Sequence, residues 1–299
     1  IIEKIKDKVV LVSDLAGILQ MPQDARNKLL SAFRRIYDGE YSREWGSGQE
    51  AVKWNGKVGL IGATVPETDQ VVRKMMDLGE RFVRVYTEYT EEDALLAIQR
   101  ALENSGKEAQ IKAELQEAGN AFLNEYIPKA KAGIKHIQQP SWWSTRMINI
   151  ANLTATLRTP ASRTQGGEIK YDPAPEIGTR LVKQFSQLAY ANCLIEDRDE
   201  LNERDVQLVL RISVDCIQKR RGQALSALMN GCERMKDITK FTKVPERTIK
   251  RELDFYQLLK VVEQEDDYTW SIVPRVMKEL SITGLHTKIM NAYPQQYED

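Results

Sequence analysis

"KVVLVSDL", residues 8–15, decides how the first third of this chain is read. Val9, Val10, Leu11 and Val12 form a nearly continuous apolar run closing on Asp14, the pattern of a strand buried on both faces of a parallel sheet. A second such run, "KVGLIGAT" at 57–64, ends on Thr64 and passes into the proline-marked loop "VPETD". Between them, "PQDARNKLLSAFRRIYDG" (22–39) is predicted to be a helix, with Pro22 in its first turn and Gly39 as its C-cap. Ala25, Leu29, Ala32, Phe33 and Ile36 fall on one stripe of that helix. "YSREWGSGQEAVKWNG" (41–56) has two polar-aromatic arms around Gly46-Ser47-Gly48, a hairpin signal, and "ERFVRVYTEY" (80–89) is a candidate third strand. Residues 1–90 therefore read as α/β.

Downstream the pattern changes. Residues 91–230 read as almost wholly helical, opening with a Thr90 cap and acids in the first turn of "TEEDALLAIQRALEN". "RTPASRTQGGEIKYDPAPEIG" (158–178) is too polar and too broken by Pro and Gly to be core. It leads into "TRLVKQFSQLAYANCL" (179–194), with Leu181, Phe185, Leu188 and Ala189 on one face. Residues 231–275 give two short helices and then a two-strand ribbon around Asp266-Asp267, the winged-helix order. On the second of those helices Ile249, Leu253 and Tyr256 are expected to face the core, leaving Arg247, Thr248, Lys250 and Arg251 outside. The tail, 276–299, carries no readable motif.

Composition bounds the function. The chain has 299 residues, 43 Lys+Arg against 43 Asp+Glu, and 42% apolar residues, as a globular protein of two or three domains would. Zero net charge confines any nucleic-acid contact to local patches. No apolar run approaches the ~18 residues that span a membrane, so no membrane partner is expected. Cys193, Cys216 and Cys232 are too far apart for a CxxC-type metal site and odd in number, and His136 and His286 are isolated. Buried thiols in a reducing cytoplasm fit this usage. The start on Ile1, with no Met and no hydrophobic signal core, reads as a cut from a longer protein.

Several short motifs in order carry a resemblance: "VSDL" (12–15), "RRIYDG" (34–39), "WNGKVGLIGAT" (54–64) and "LGERF" (78–82). They resemble the second half of an AAA+ ATPase domain of the minichromosome-maintenance helicase kind. Closer still are the helicase-like ATPases of phages and integrative elements, with a strand ending in an acid, a helix ending "REIYDG", a W-x-G-K strand and "GERF". "ANLTATLR" (151–158) and "APEIGTRLVKQFSQLA" (174–189) are similar to later segments of that group, so the likeness covers most of 8–260. It implies the second half of an ATPase core (1–90), a helical lid (91–230), a winged helix (231–275) and a tail (276–299).

The resemblance also implies roles. Asp14 would serve Mg²⁺ or the attacking water, where the helicases usually have two consecutive acids; a plain strand-terminating Asp is the alternative. Thr64 stands where a polar sensor contacts the γ-phosphate or water; taken alone it is a strand-end residue. Arg81 would be an arginine finger acting on a neighbouring subunit, against a surface salt bridge to Glu80 or Asp77. Arg180 matches the lid's phosphate-sensing arginine, with a solvated arginine near the start of a surface helix as the alternative, and Arg158 and Arg163 are weaker candidates. No G-x-x-x-x-G-K-[ST] loop occurs in the chain, so ATP and Mg²⁺ are expected only with a phosphate-binding portion supplied upstream, unless the chain is a degenerate, non-hydrolysing relative.

Two surfaces could meet DNA. The 41–56 hairpin sits where minichromosome-type rings project a hairpin into the channel. Its Arg43, Lys53, Trp45 and Trp54 mix cations with rings, as tracking a single strand requires. Aromatic pairing across the hairpin explains the rings equally. The winged helix offers Arg247, Thr248, Lys250 and Arg251 to a duplex, although Glu263, Glu265, Asp266 and Asp267 on its ribbon would repel phosphates. The expectation is an ATP-driven, ring-forming homo-oligomeric DNA helicase or replication initiator of a mobile element. The alternative is a non-enzymatic winged-helix DNA-binding or adaptor protein.

Overall fold

The structure is a computed structural model and describes residues 2–45, 49–64, 82–87, 89–134, 136–161, 169 and 173–296. Most of these residues are helical, and the strands are few and short. They divide into two units, Ile1–Phe82 and Val83–Asp299.

In the first unit the order is β1 (Lys8–Val12), α1 (Leu15–Gln20), α2 (Gln23–Asp38), β2 (Glu40–Trp45), β3 (Gln49–Asn55) and β4 (Val58–Gly62). β1 and β4 pair in parallel, from Lys8 beside Val58 to Val12 beside Gly62. Two further bonds extend the ladder: the Ala63 N–H donates to the Val12 carbonyl at 2.9 Å and the Leu15 N–H to the Ala63 carbonyl at 2.8 Å. β2 and β3 form an antiparallel hairpin, with Tyr41 opposite Trp54; its Gly46-Ser47-Gly48 tip lies outside the described residues. α2 packs against β2 and β4, and Gly39 ends it with φ +98°, a left-handed conformation that favours glycine. Leu15, Leu19 and Leu30 are buried beneath it, while the stripe from Ala25 to Ile36 is only half-buried.

One expectation is corrected here. β1 and β4 are not buried on both faces: Val9 is 59% exposed, Leu11 72% and Ile61 60%, while Val10, Val12, Val58 and Leu60 are half-buried on the opposite face. A continuous apolar run reports that a strand is suited to two-sided cover, not that cover is present. Residues 82–87, expected as a third strand, are not one either. Residues 83–87 belong to the second, helical unit, where the Arg84 N–H donates to Cys216 Sγ at 3.5 Å and the Tyr86 N–H to Asp215 Oδ2 at 3.2 Å.

The second unit contains α3 (Glu91–Glu103), α4 (Glu108–Gly133), α5 (Trp143–Leu157), α6 (Thr179–Ile195), α7 (Glu203–Cys216) and α8 (Lys219–Met229). After them come α9 (Met235–Thr242), α10 (Glu246–Leu258), the ribbon β5 (Val262–Gln264) and β6 (Trp270–Ile272), α11 (Pro274–Thr283) and α12 (Leu285–Ala292). Thr90 and Asp93 close a reciprocal capping box on α3. A single apolar core extends from Ile137 to Tyr293. The motif-free tail thus supplies two helices of this core, with Val276, Leu280, Leu285 and Ile289 buried. Arg158, Thr159 and Ala161 are buried too, so the polar stretch after α5 starts inside the core.

α8 sits at the centre, packed against α9, α10, α12 and β6. Its small residues, Gly222, Ala224, Ser226 and Ala227, are all buried and let the neighbours approach closely. A Cβ on Gly222 would lie 2.1 Å from the Tyr293 ring. The Tyr293 backbone is anchored there, because the Ser226 hydroxyl donates to its carbonyl at 2.6 Å. Gly222→Ala gains helix propensity worth about 1 kcal/mol but overpacks this contact. A net loss of about 1–3 kcal/mol is expected, read as a lower denaturant midpoint at unchanged slope. Unaltered stability would contradict the packing of Tyr293 on α8.

Candidate functional site

The parallel pairing of β1 and β4 puts Asp14 and Thr64 in matching places, each two residues beyond the register partners Val12 and Gly62. Both follow the carboxyl ends of their strands, the edge at which open α/β sheets bind ligands. Asp14 caps α1: its Oδ1 accepts from the N–H of Ala16 at 2.9 Å and of Gly17 at 3.4 Å. Both bonds fall on Oδ1, and among the described residues no donor reaches Oδ2. The carboxylate is exposed, so Oδ2 can take a cation or a water. Among the described residues no cluster of three or more His, Cys, Asp or Glu could hold a metal.

Arg180 lies in the first turn of α6. That helix start is pressed against α5, where a Cβ on Gly178 would come within 2.5 Å of Asn152 Oδ1 and 2.9 Å of its backbone nitrogen. Glu176 accepts from both candidate arginines of this region: Arg158 Nη2 donates at 2.9 Å and Arg180 Nη1 at 3.0 Å. The two differ in burial, with the Arg158 side chain 1% exposed and that of Arg180 35%. Arg158 holds the carboxylate from inside, and Arg180 stays accessible at the rim. Glu176 was not singled out from the sequence, although its place four residues before Arg180 is the helical spacing that pairs a Glu with a following cation. Arg81 and Arg163 lie outside the described residues.

No protein-family model matches this chain, and no curated protein matches it.

At the two nucleic-acid candidates the geometry differs from expectation. Trp54 is buried, only 3% exposed, with its ring where a Cβ on Gly56 would lie at 2.7 Å. It offers no open stacking face, because the hairpin folds the ring inward as packing. Arg43 and Lys53 lie on β2 and β3, and their side chains, like that of Trp45, are outside the description. On α10, Ile249, Leu253 and Tyr256 are buried, Arg247 and Lys250 are exposed, and Thr248 and Arg251 are half-exposed. Lys250 Nζ lies 3.4 Å from Asp254 Oδ1 and 5.8 Å from the centre of the Trp270 ring. α10 is tied down by Arg221 of α8, fully buried, which donates to Glu252 at 2.7 Å and lies over the Phe255 ring at 4.2 Å.

The strongest polar cluster of the second unit is structural. Asp205, fully buried in the first turn of α7, accepts from Arg198 Nη2 at 2.6 Å and Nη1 at 2.8 Å, and from the Asn192 side chain at 2.8 Å. Burial alone would raise its carboxyl, but the bonds from Arg198, Asn192 and the Asn202 N–H outweigh that and hold it below the ordinary range. Among the described residues no helix is long and apolar enough to cross a membrane.

Proposed function

We propose that this chain is the distal part of an ATP-driven, ring-forming DNA helicase or replication initiator, comprising the second half of an AAA+ core, a helical lid and a winged helix. The observation that carries the reading is the juxtaposition of Asp14 and Thr64 beyond the carboxyl ends of two parallel, hydrogen-bonded strands. The exposed apolar face of the same two strands supports it, since parallel sheets are built to be covered on both faces. Asp14, with Oδ2 unengaged, is the residue that would hold Mg²⁺; such a site needs only one or two carboxylates, since water and phosphate oxygens complete it. The metal would neutralise charge on the phosphates. Thr64 would orient the attacking water, Arg81 would serve a neighbouring subunit, and Arg180 would sense phosphate from the lid. The two helices of 235–258 would meet duplex DNA.

With no phosphate-cradling loop among its 299 residues, the chain alone is expected to show no ATP turnover. Turnover by the purified chain that survives Asp14→Ala would sink this architecture. Joined to a phosphate-binding portion, the protein should hydrolyse ATP and lose that activity on Asp14→Ala. A second reading, a non-enzymatic DNA-binding adaptor, is favoured by one observation: Asp14 already has structural work as the cap of α1. Under that reading Asp14→Asn, which still caps, would leave every activity of the joined protein unchanged.

A further inference from the structure

In a chain with no net charge, residues 234–251 carry seven basic residues against two acidic ones, Asp237 and Glu246. Three of the seven, Lys236, Lys240 and Lys243, are spaced four and three residues apart, which puts them on one face of α9 and its C-cap. The opposite face holds the buried Ile238, Phe241 and Thr242. All three lysines are exposed, and among the described residues no carboxylate lies within ion-pair distance of Lys236 or Lys240. The row spans about 10 Å at 1.5 Å per residue, and the exposed Arg247 follows at the start of α10.

α10 is different. Its three cations, Arg247, Lys250 and Arg251, share the helix with three acids, Glu246, Glu252 and Asp254, and Lys250 is already paired with Asp254. The ribbon beyond it carries Glu263, Glu265, Asp266 and Asp267, which oppose entry into a groove lined by phosphates. Nor is there a stacking platform on the basic row: Phe241 and Trp270 are buried, and the exposed ring nearby, Tyr268, stands among the ribbon's acids. Compact lysine charges without aromatic faces suit phosphates rather than splayed bases.

We infer that the Lys236–Lys240–Lys243 face of α9, rather than α10, is the main contact of this module, and that it takes the phosphate backbone of a nucleic-acid duplex without reading sequence. The inference rests on the proposed DNA-binding role of the module and assigns that role to α9.

The test is binding of the full chain to a 20-base-pair duplex over a range of salt, with Lys236→Gln, Lys240→Gln and Lys243→Asn combined. Asn is used at Lys243 because that residue has φ +54°, which Asn tolerates. The slope of log affinity against log salt is expected to fall by about three units, near 0.9 per lost phosphate contact. Lys250→Gln with Arg251→Gln should change it by less than about one unit. The melting temperature of each variant checks that the fold is retained. If the α9 variant keeps the parental slope while the α10 variant loses it, the assignment to α9 is wrong and the module still binds duplex. If neither variant alters duplex binding, both readings fall. Tighter binding to the matching single strand, or equal lysine-dependent binding to phosphatidylserine vesicles, would overturn the duplex assignment.

Discussion

Arg81→Ala, in the chain joined to a phosphate-binding portion as the proposed function requires, is expected to leave ATP binding near normal and to lower hydrolysis by about 10³–10⁵-fold. An arginine supplied by a neighbour matters mainly as charge shifts in the transition state, so kcat should fall while nucleotide affinity holds. The expectation rests on the position of Arg81 in "LGERF", past the strand that ends at Gly62. Mixing Arg81→Ala with a variant lacking the loop lysine should restore part of the rate, because some interfaces then join an intact pocket to an intact arginine. Light scattering must first show that both variants assemble. Hydrolysis at the parental rate by Arg81→Ala, or assembled mixtures that never complement, would make Arg81 a surface ion-pair residue.

The second large effect is on stability. Asp205→Ala should cost about 3–5 kcal/mol, since it strips a fully buried carboxylate from Arg198 and leaves the Asn192 amide and the Asn202 N–H without their acceptor. The low end is expected, because Arg198 is 17% exposed and water can solvate part of its charge. The pH dependence has a definite sign. The folded carboxyl of Asp205 titrates below its unfolded value, so its contribution is complete above about pH 5 and is lost as the pH falls through the ordinary carboxylate range toward the depressed folded value. Urea unfolding between pH 3 and pH 7 should therefore show a shallower acid limb for Asp205→Asn than for the parent. An unchanged acid limb would assign the acid sensitivity to other carboxylates.

What the sequence made legible was local. The run from Lys8 to Val12, the helix closed by Gly39, the 41–56 hairpin and the helix–helix–ribbon order after Arg234 all follow from spacing, caps and turn residues. These signals act over a few residues, so neighbours in sequence suffice to read them. What was hidden depends on partners far along the chain. The open face at Val9, Leu11 and Ile61 looks like core because side-chain type reports fitness for burial, not the presence of a cover. Arg158 reads as a loop residue because its carboxylate partner, Glu176, lies eighteen positions away. Trp54 looked available for stacking because a ring's orientation on a hairpin depends on what lies beneath it. The tail, 276–299, looked featureless because its apolar positions gain meaning only against α5, α7 and α8.

The unbroken core from Ile137 to Tyr293, with α8 at its heart, has a mechanical consequence. A DNA-binding module hung on a loose linker transmits no force: its tether slackens, and whatever it grips can drift. Here the lysine row of α9 and the arginine at the start of α6 belong to helices that share one apolar core. A nucleic acid held at one end would thus be felt at the other as displacement rather than as a change in local concentration. On the proposed function the second unit would act as a lever, passing a nucleotide-driven movement of Arg180 to the duplex held at α9.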